Sequence, residues 1–398
     1  MHETTETANA LITSPVGVLM VLAAICGFFF WLEKHTQWKL FNFFPPLLFI
    51  YMIPLGLSNT GVIPYNSEVY PIMSSIVLPL FLVMLMLDVN VGGAIKVMGK
   101  GIFVMLMGTV GVMIGAPIGF AIVGGQLGPE AWKGFGALAG SWIGGTGNMA
   151  AVADGLHTSG SDYGLAALAD NIVYIVWLPI MLGSKLLAKS FNKFTGVSED
   201  RLKRMEEAAT EIAHDKGRME MRHILYLFAI GFTVAFLAGE IAKLLPELKP
   251  VLSTNTWRIL LVTTLALGCS FTPAKKIPGS HPMAMALIYL FVAHMGAKAH
   301  VEQILGQAPW FILGAYIWVF IHGGFCLLGA KIFKVDVHTA AISSAANIGG
   351  AASAPVVAAY HKESLVPVSI LMALIGYAIG TYAAFGTAQL CYWVSLII

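Results

Sequence analysis

Two apolar tracts carry a density of small polar side chains that a helix facing only lipid has no use for. The first, residues 134–156, reads GFGALAGSWIGGTGNMAAVADGL and sets Ser141, Thr146 and Asn148 among Gly144, Gly145 and Gly147. The second, residues 339–361, reads TAAISSAANIGGAASAPVVAAYH and sets Ser343, Ser344, Asn347 and Ser353 around Gly349 and Gly350. Neutral hydroxyl and amide oxygens suit a sodium ion or the polar atoms of a solute. Glycine lets the backbone approach a ligand without steric cost. Placing Ile143-Gly144-Gly145 on Ile348-Gly349-Gly350 aligns the tracts without a gap and also pairs Val152 with Val357 and Ala153 with Ala358.

Ionisable groups inside apolar spans are costly and tend to be functional. Asp170, followed by Asn171, falls within such a span, and Asp154 lies on the far arm of the first tract. With Ser141, Asn148, Ser343, Ser344 and Asn347 they form the ion-coupling candidates, although Asp170 also fits a structural hydrogen-bonding role and Asp154, near the mouth of the hairpin, also fits a solvated one. The substrate-binding candidates are Gly144, Gly145, Thr146, Gly147, Asn148, Asn347, Gly349, Gly350 and Ser353. Pro355, which matches Ala150, suits the start of a helix. Asp88 and Asn90 read as a helix end. His294 and His322 lie in spans, where a neighbour usually satisfies a histidine, and His281, His300, His338 and His361 read as interfacial. The plain reading of both tracts is close helix packing through small residues. Their pairing in corresponding positions favours instead the interrupted segments that mark a transporter site.

The elements that must position these residues are membrane helices. Of 398 residues, 57% are hydrophobic and 11% charged, against about a quarter charged in soluble domains. Ten apolar stretches have about the length that crosses a bilayer: 16–33, 41–58, 71–88, 101–123, 164–187, 221–243, 256–273, 282–297, 309–332 and 365–396. The last is long enough to break near Gly380 or Gly386. The Gly-rich tracts fall between the fourth and fifth spans and between the ninth and tenth. Lys and Arg collect in cytoplasmic loops. If both tracts turn back, 18 of the 23 basic residues lie inside; if both cross, only 14 do.

The charge count therefore favours an all-α polytopic membrane protein built from two inverted repeats of five spans, each with a re-entrant or broken Gly-rich hairpin. The repeats cover residues 1–188 and 221–398, with a cytoplasmic linker at 189–220 and both termini outside. Pro71 with Leu80-Phe81 recurs as Pro282 with Leu290-Phe291 and hints at the same duplication. Within the linker, Ser198-Glu199-Asp200 offers an N-cap and acidic first turn to an amphipathic helix over Arg201–His214. The acidic N-terminus, MHETTETANA, lacks the basic start of a cleaved signal. The four cysteines sit in apolar segments without a CxxC spacing and read as packing residues.

The motifs GSWIGGTGNMAAVADG and SSAANIGGAASAPVVAA resemble the YjcL-like membrane proteins, a family defined by a domain of unknown function, and the likeness runs over nearly the whole chain. That family is similar in turn to sodium/proton antiporters and to bile-acid, citrate and glutamate symporters. The resemblance implies broken or re-entrant segments at a substrate site. It also implies an elevator movement of a core against a scaffold that forms a homodimer. Asp170-Asn171 reverses the Asn-Asp order of the antiporters. Neither hairpin contains Arg, so a di- or tricarboxylate held by a guanidinium is not supported.

Together these point to a secondary active transporter of a small polar organic solute in the inner membrane of a bacterium-like cell. The solute could be an organic anion, an amino-acid-like molecule, or an amino-sugar or peptide fragment. Coupling is to sodium, or second to a proton, with no other cofactor and no nucleic-acid partner. A cation/proton antiporter without organic substrate is the alternative. Asp154 and Asp170 lack the GxGD setting of an intramembrane protease, and no HExxH or GxxxxGK[ST] motif occurs. No filter-like repeat suggests a channel, and the protein is not expected to be an enzyme.

Overall fold

A computed structural model describes residues 10–38, 40–197 and 217–398. Among these the chain is helical throughout, with a single isolated β-bridge between Leu248 and Leu252. Fifteen helices frame the description: α1 Pro15–Thr36, α2 Pro46–Asn59, α3 Val69–Leu87, α4 Val91–Met98, α5 Gly101–Val123, α6 Ala131–Gly155, α7 Gly160–Gly183, α8 Ala188–Thr195, α9 Met221–Ala242, α10 Thr254–Cys269, α11 Ser280–Ala297, α12 Val301–Phe333, α13 Val337–Ile348, α14 Gly350–His361 and α15 Val366–Ser395. The expected linker helix over Arg201–His214 lies outside the described residues.

Among the described residues, seven helical stretches are long and apolar enough to cross a membrane: Pro15–Thr36, Val69–Leu87, Gly101–Gln126, Gly160–Thr195, Met221–Ala242, Val301–Phe333 and Glu363–Ser395. Large apolar side chains on α1 (Phe28, Trp31) and α9 (Phe232, Phe236) point away from the protein, as a hydrocarbon solvent requires. Helix ends are set by local signals. Ser14 caps α1, Ser159 caps α7, Ser253 caps α10 and Asp336 caps α13, each accepting from a first-turn amide. Asn90 likewise accepts from Gly93 N at 3.0 Å and opens α4. In α3, Pro79 cannot donate to the Ser75 carbonyl, and the wide turn Met73–Val77 takes up the mismatch just before it.

Packing divides the helices into two groups. One comprises α5, α6, α7 and α12–α15; the other comprises α1–α3 and α9–α11. Glycine seams hold the first group together. Along α5 and α12, Gly119 faces Gly314, Gly115 faces Trp318, Gly111 faces Phe325 and Gly108 faces Cys326. The numbers run in opposite senses, so the two helices are antiparallel, and a β-carbon at any of these α5 positions would strike its neighbour.

The final helix does not break near Gly380 or Gly386 as its length suggested; α15 runs unbroken for 30 residues. Gly380 serves a different need, because it lies against Gly144 and the Asn148 side chain, where a β-carbon has no room. Pro355 does not start a helix either. It sits inside α14, which begins at Gly350, so the Ala351 carbonyl one turn earlier receives no amide from it.

Candidate functional site

Both Gly-rich tracts are helical hairpins. In α6 the helix is interrupted at Gly145, with φ 74° and ψ −178°, a conformation essentially reserved for glycine. The arms then fold back on each other: a β-carbon on Gly140 would stand 2.9 Å from the Asn148 carbonyl oxygen and 3.0 Å from Met149 Cα. Near the open end, Gly136 meets Leu156. In the second tract α13 ends at Ile348 and α14 begins at Gly350, whose φ is +57°. Its arms rejoin at their far ends, where His338 Nδ1 lies 3.0 Å from His361 Nδ1.

The hairpins open at opposite ends of α7. Gly134, at the mouth of the first, packs against Asp162 near the start of α7. His361, at the mouth of the second, bonds through Nε2 to the Met181 carbonyl at 2.9 Å near its end. Between these mouths the tips meet, since a β-carbon on Gly350 would lie 3.6 Å from Gly145 Cα. Tyr377 of α15 closes the junction. Its ring covers Gly145.

Around the tips the protein is partly open to solvent although its surroundings are buried. Gly145, Thr146, Gly349, Ala351 and Ser353, with Asp170, Asn171 and Tyr174 of α7, are all half-buried. Asp170 is the carboxylate of this crevice. Its Oδ2 accepts from Ser141 Oγ at 2.7 Å and its Oδ1 from Trp142 Nε1 at 2.8 Å. No cation pairs with it among the described residues. Two hydrogen bonds to a charged group contribute about 1.5–3 kcal/mol each and fix the carboxylate without neutralising it. Tyr174, one turn on, faces Ser353 with its hydroxyl unpartnered.

Asn148 is fully buried, and its Nδ2 donates to the Tyr377 carbonyl at 2.9 Å. Its Oδ1 has no partner, and neither has the buried Thr381 hydroxyl beside Gly380 on the same α15 helix. An unmet buried acceptor costs about 1–3 kcal/mol, so these atoms mark a place where polarity is kept at the expense of stability. The first arm of α6 also ends here, and the carbonyls of its last turn point toward the break.

The remaining candidates lie elsewhere. In its satisfied orientation the Asn347 amide donates to the Met105 and Ser343 carbonyls at 3.0 and 3.3 Å and accepts from Thr109 at 3.0 Å, which binds it to α5. Ser343 donates to the Thr339 carbonyl. Ser344 accepts from Trp177 Nε1 at 3.0 Å and meets His322 Nε2 at 2.9 Å. Because His322 Nδ1 faces the Gly108 carbonyl it must be the protonated nitrogen there, so Ser344 donates to Nε2. Asn171 donates to Ala167 O on its own helix. Gly147 packs against Leu85 and Ile288. Asp154 is far from the tips, at the mouth of the first hairpin. It accepts from Asn255 at 3.1 Å and pairs with Arg258 at 3.5 Å. Asp88 accepts from Ser280 Oγ at 2.6 Å, joining the end of α3 to the start of α11.

Sequence reasoning passed over Tyr174, Tyr377, Thr381 and Trp142. A faint signal existed for the first: Asp170 and Tyr174 are spaced i,i+4, which puts them on one helix face. No group of three or more His, Cys, Asp or Glu that could hold a metal occurs among the described residues.

A helical bundle with at least seven apolar spans defines a polytopic integral membrane protein. The chain belongs to the family described as "Protein of unknown function (DUF819)", whose model matches residues 20–393. It is 25% identical over 335 residues to the "Uncharacterized membrane protein YjcL" of Bacillus subtilis (strain 168), covering 82% of this chain and 84% of that protein.

Proposed function

We propose that the protein is a secondary active transporter that carries a small polar organic solute with sodium, and that both bind in the crevice between the hairpin tips. The observation that carries this reading is the meeting of the two interrupted helices at Gly145 and Gly350 beside an unpaired carboxylate. Non-helical backbone at membrane depth is tolerated only where protein buries it or water reaches it. The second hairpin's arms are 12 residues each and the first's, either side of Gly145, are 14 and 10; at about 1.5 Å per residue none rises more than about 21 Å, short of the roughly 30 Å hydrocarbon core. On this reading each hairpin is therefore re-entrant, and the pair fills the membrane by meeting tip to tip.

Sodium takes the neutral oxygens left unmet, Asn148 Oδ1 and Thr381 Oγ1, near the carbonyl end of the first arm. Asp170 supplies the one formal charge of the site. The solute lies against Thr146, Ser353, Tyr174 and Tyr377. With no Arg or Lys at either tip, a polyanion has no charge partner there. The carboxylate also favours a second reading, exchange of a cation for a proton at Asp170 without any organic solute.

The packing supports two inverted repeats. Several helix contacts have a counterpart in which the halves are exchanged: α2 with α11 and α3 with α10, α5 with α15 and α7 with α12. The equivalent helices α5 and α12 are antiparallel. The α5–α7 and α12–α15 group is then the moving core, and the α1–α3 and α9–α11 group is a scaffold that meets a second copy. α2, α10 and α11, at 14, 16 and 18 residues, complete the ten spans. The mouth of the second hairpin and the basic residues Lys185, Lys331 and Lys334 share one end of the bundle, which the reading places in the cytoplasm.

The test is a thermal-shift screen of metabolites on the purified protein in sodium, potassium and choline. A sodium-specific rise in melting temperature that disappears in Asn148→Ala supports symport. A pH-dependent stabilisation that no cation alters and that Asp170→Asn abolishes supports cation/proton exchange. Neither response, across the whole screen, removes the transporter reading.

A further inference from the structure

At the end of the bundle where the first hairpin opens lies a cavity of about 410 Å³, lined by Asn66, Ser67, Glu68, Tyr70, Pro71, Ser74 and Lys298. The start of α3 forms one wall and the residue after α11 the other. It is separate from the crevice between the tips, and nothing in the proposed transport step uses it. Its volume falls in the range of small-molecule sites, about 300–1,000 Å³, which is far more room than a single ion needs.

Three features fix what would fit. First, the lining holds one carboxylate, Glu68, and one ammonium, Lys298, and neither has a salt-bridge partner among the described residues. Second, the rest of the lining is neutral, with an amide and two serines beside the Tyr70 ring and Pro71. Such walls accept short apolar side chains and polar backbone atoms alike. Third, polar groups around this wall are left unmet. His294, fully buried against the Tyr70 ring, has both ring nitrogens unpartnered, and Arg258 Nε is also free of a partner.

We propose that this cavity binds a small zwitterion, an amino acid or short peptide, whose ammonium meets Glu68 and whose carboxylate meets Lys298. A mono-ion of either sign would leave one of the two lining charges facing its like or nothing. The wall is joined to the first hairpin by a single guanidinium. Arg258 Nη2 donates to the Ser74 carbonyl at 3.2 Å and reaches Asp154 Oδ2 at 3.5 Å. Occupancy of the cavity is therefore in mechanical contact with the mouth of that hairpin, whatever binds between the tips.

The experiment uses the full chain in lipid nanodiscs and isothermal titration with the twenty amino acids and a set of dipeptides. The dipeptides are also supplied N-acetylated and as C-terminal amides. The expected result is saturable binding of at least one free zwitterion, weakened at least ten-fold by acetylation, by amidation, and by Glu68→Gln or Lys298→Met. Both side chains are exposed, so the variants keep the wild-type gel-filtration profile. Binding that persists in Asp170→Asn separates this cavity from the crevice between the tips. No saturable zwitterion binding, or binding unchanged by both Glu68→Gln and Lys298→Met, overturns the proposal.

Discussion

Replacing Gly145 by alanine tests the hairpin at its turning point. At φ 74° and ψ −178° an L-residue sits in a region open essentially to glycine, at a cost of about 1–3 kcal/mol. The added β-carbon would also stand 3.0 Å from Tyr377 Cε1. That ring is itself buried, so it cannot retreat freely. Gly145→Ala should therefore destabilise the protein by about 1–3 kcal/mol, with the tight ring contact pushing toward the upper end. The control is Gly56→Ala in α2, where no atom lies within 4 Å of the new β-carbon; there alanine should stabilise by about 0.5–1 kcal/mol. Equilibrium unfolding in mixed micelles, followed by far-UV circular dichroism, measures both. If Gly145→Ala unfolds with the wild type, or if both variants shift alike, the chain does not reverse at Gly145 and the tip geometry is wrong.

Other consequences are quicker to check. Trp177→Phe removes the Nε1 donor to Ser344 and should cost about 1 kcal/mol in the same unfolding assay, without changing cation preference. Asp154→Ala strips partners from Asn255 and Arg258; destabilisation of about 1–2 kcal/mol is expected, and a neutral result would show that the contact at the hairpin mouth is idle. Cysteines at Gly93 and Ser190 should react with an impermeant maleimide from the same side of a sealed vesicle, because a re-entrant first hairpin adds no crossing between them. Glu247, in the loop before α10, accepts from the Thr254 amide and hydroxyl, and these bonds hold its carboxyl below the usual range. With the folded value depressed, the cap is at full strength above the unfolded carboxylate range and is lost as pH falls through the folded value. A melting-temperature deficit in Glu247→Gln should accordingly disappear in acid.

Much of the helical layout is legible in the sequence, since length and apolarity alone fix where a chain must hydrogen-bond within itself in lipid. The expected stretches 16–33, 101–123 and 221–243 differ from α1, α5 and α9 by at most three residues. The breaks at Gly145 and Gly349-Gly350 fall within the paired motifs, because runs of glycine both permit positive φ and deprive a helix of stabilising side chains. What a glycine in a long helix does is not legible. Gly380 reads equally as a hinge or as a seat for another backbone, and only the arrival of Gly144 decides it. The tyrosines of the site are invisible for a related reason. A tyrosine in an apolar span carries no mark of whether its hydroxyl meets lipid headgroups, a backbone amide or a ligand.

The two asparagines, which the alignment places against Ser353 and Trp142 and not against each other, show how differently like residues near two matched tips are used. Each lies three residues from the turning glycine of its hairpin, Asn148 after Gly145 and Asn347 before Gly350, so pattern alone gives them one role. Their surroundings do not. Asn347 meets a hydroxyl and two carbonyls from α5 and α13, and its polar atoms are spent on packing. Asn148 has Gly144 and Gly380 around it, which bring backbone close but offer its Oδ1 no donor. A buried carbonyl left without a partner at a cost of about 1–3 kcal/mol is a poor packing device and a ready cation ligand. On the proposed reading the ion therefore belongs to the first hairpin, and the second supplies shape. Asn148→Ala should abolish the sodium response while relieving that unmet acceptor. Asn347→Ala should lower stability in sodium and choline equally. The reverse pattern would move the ion to the second hairpin.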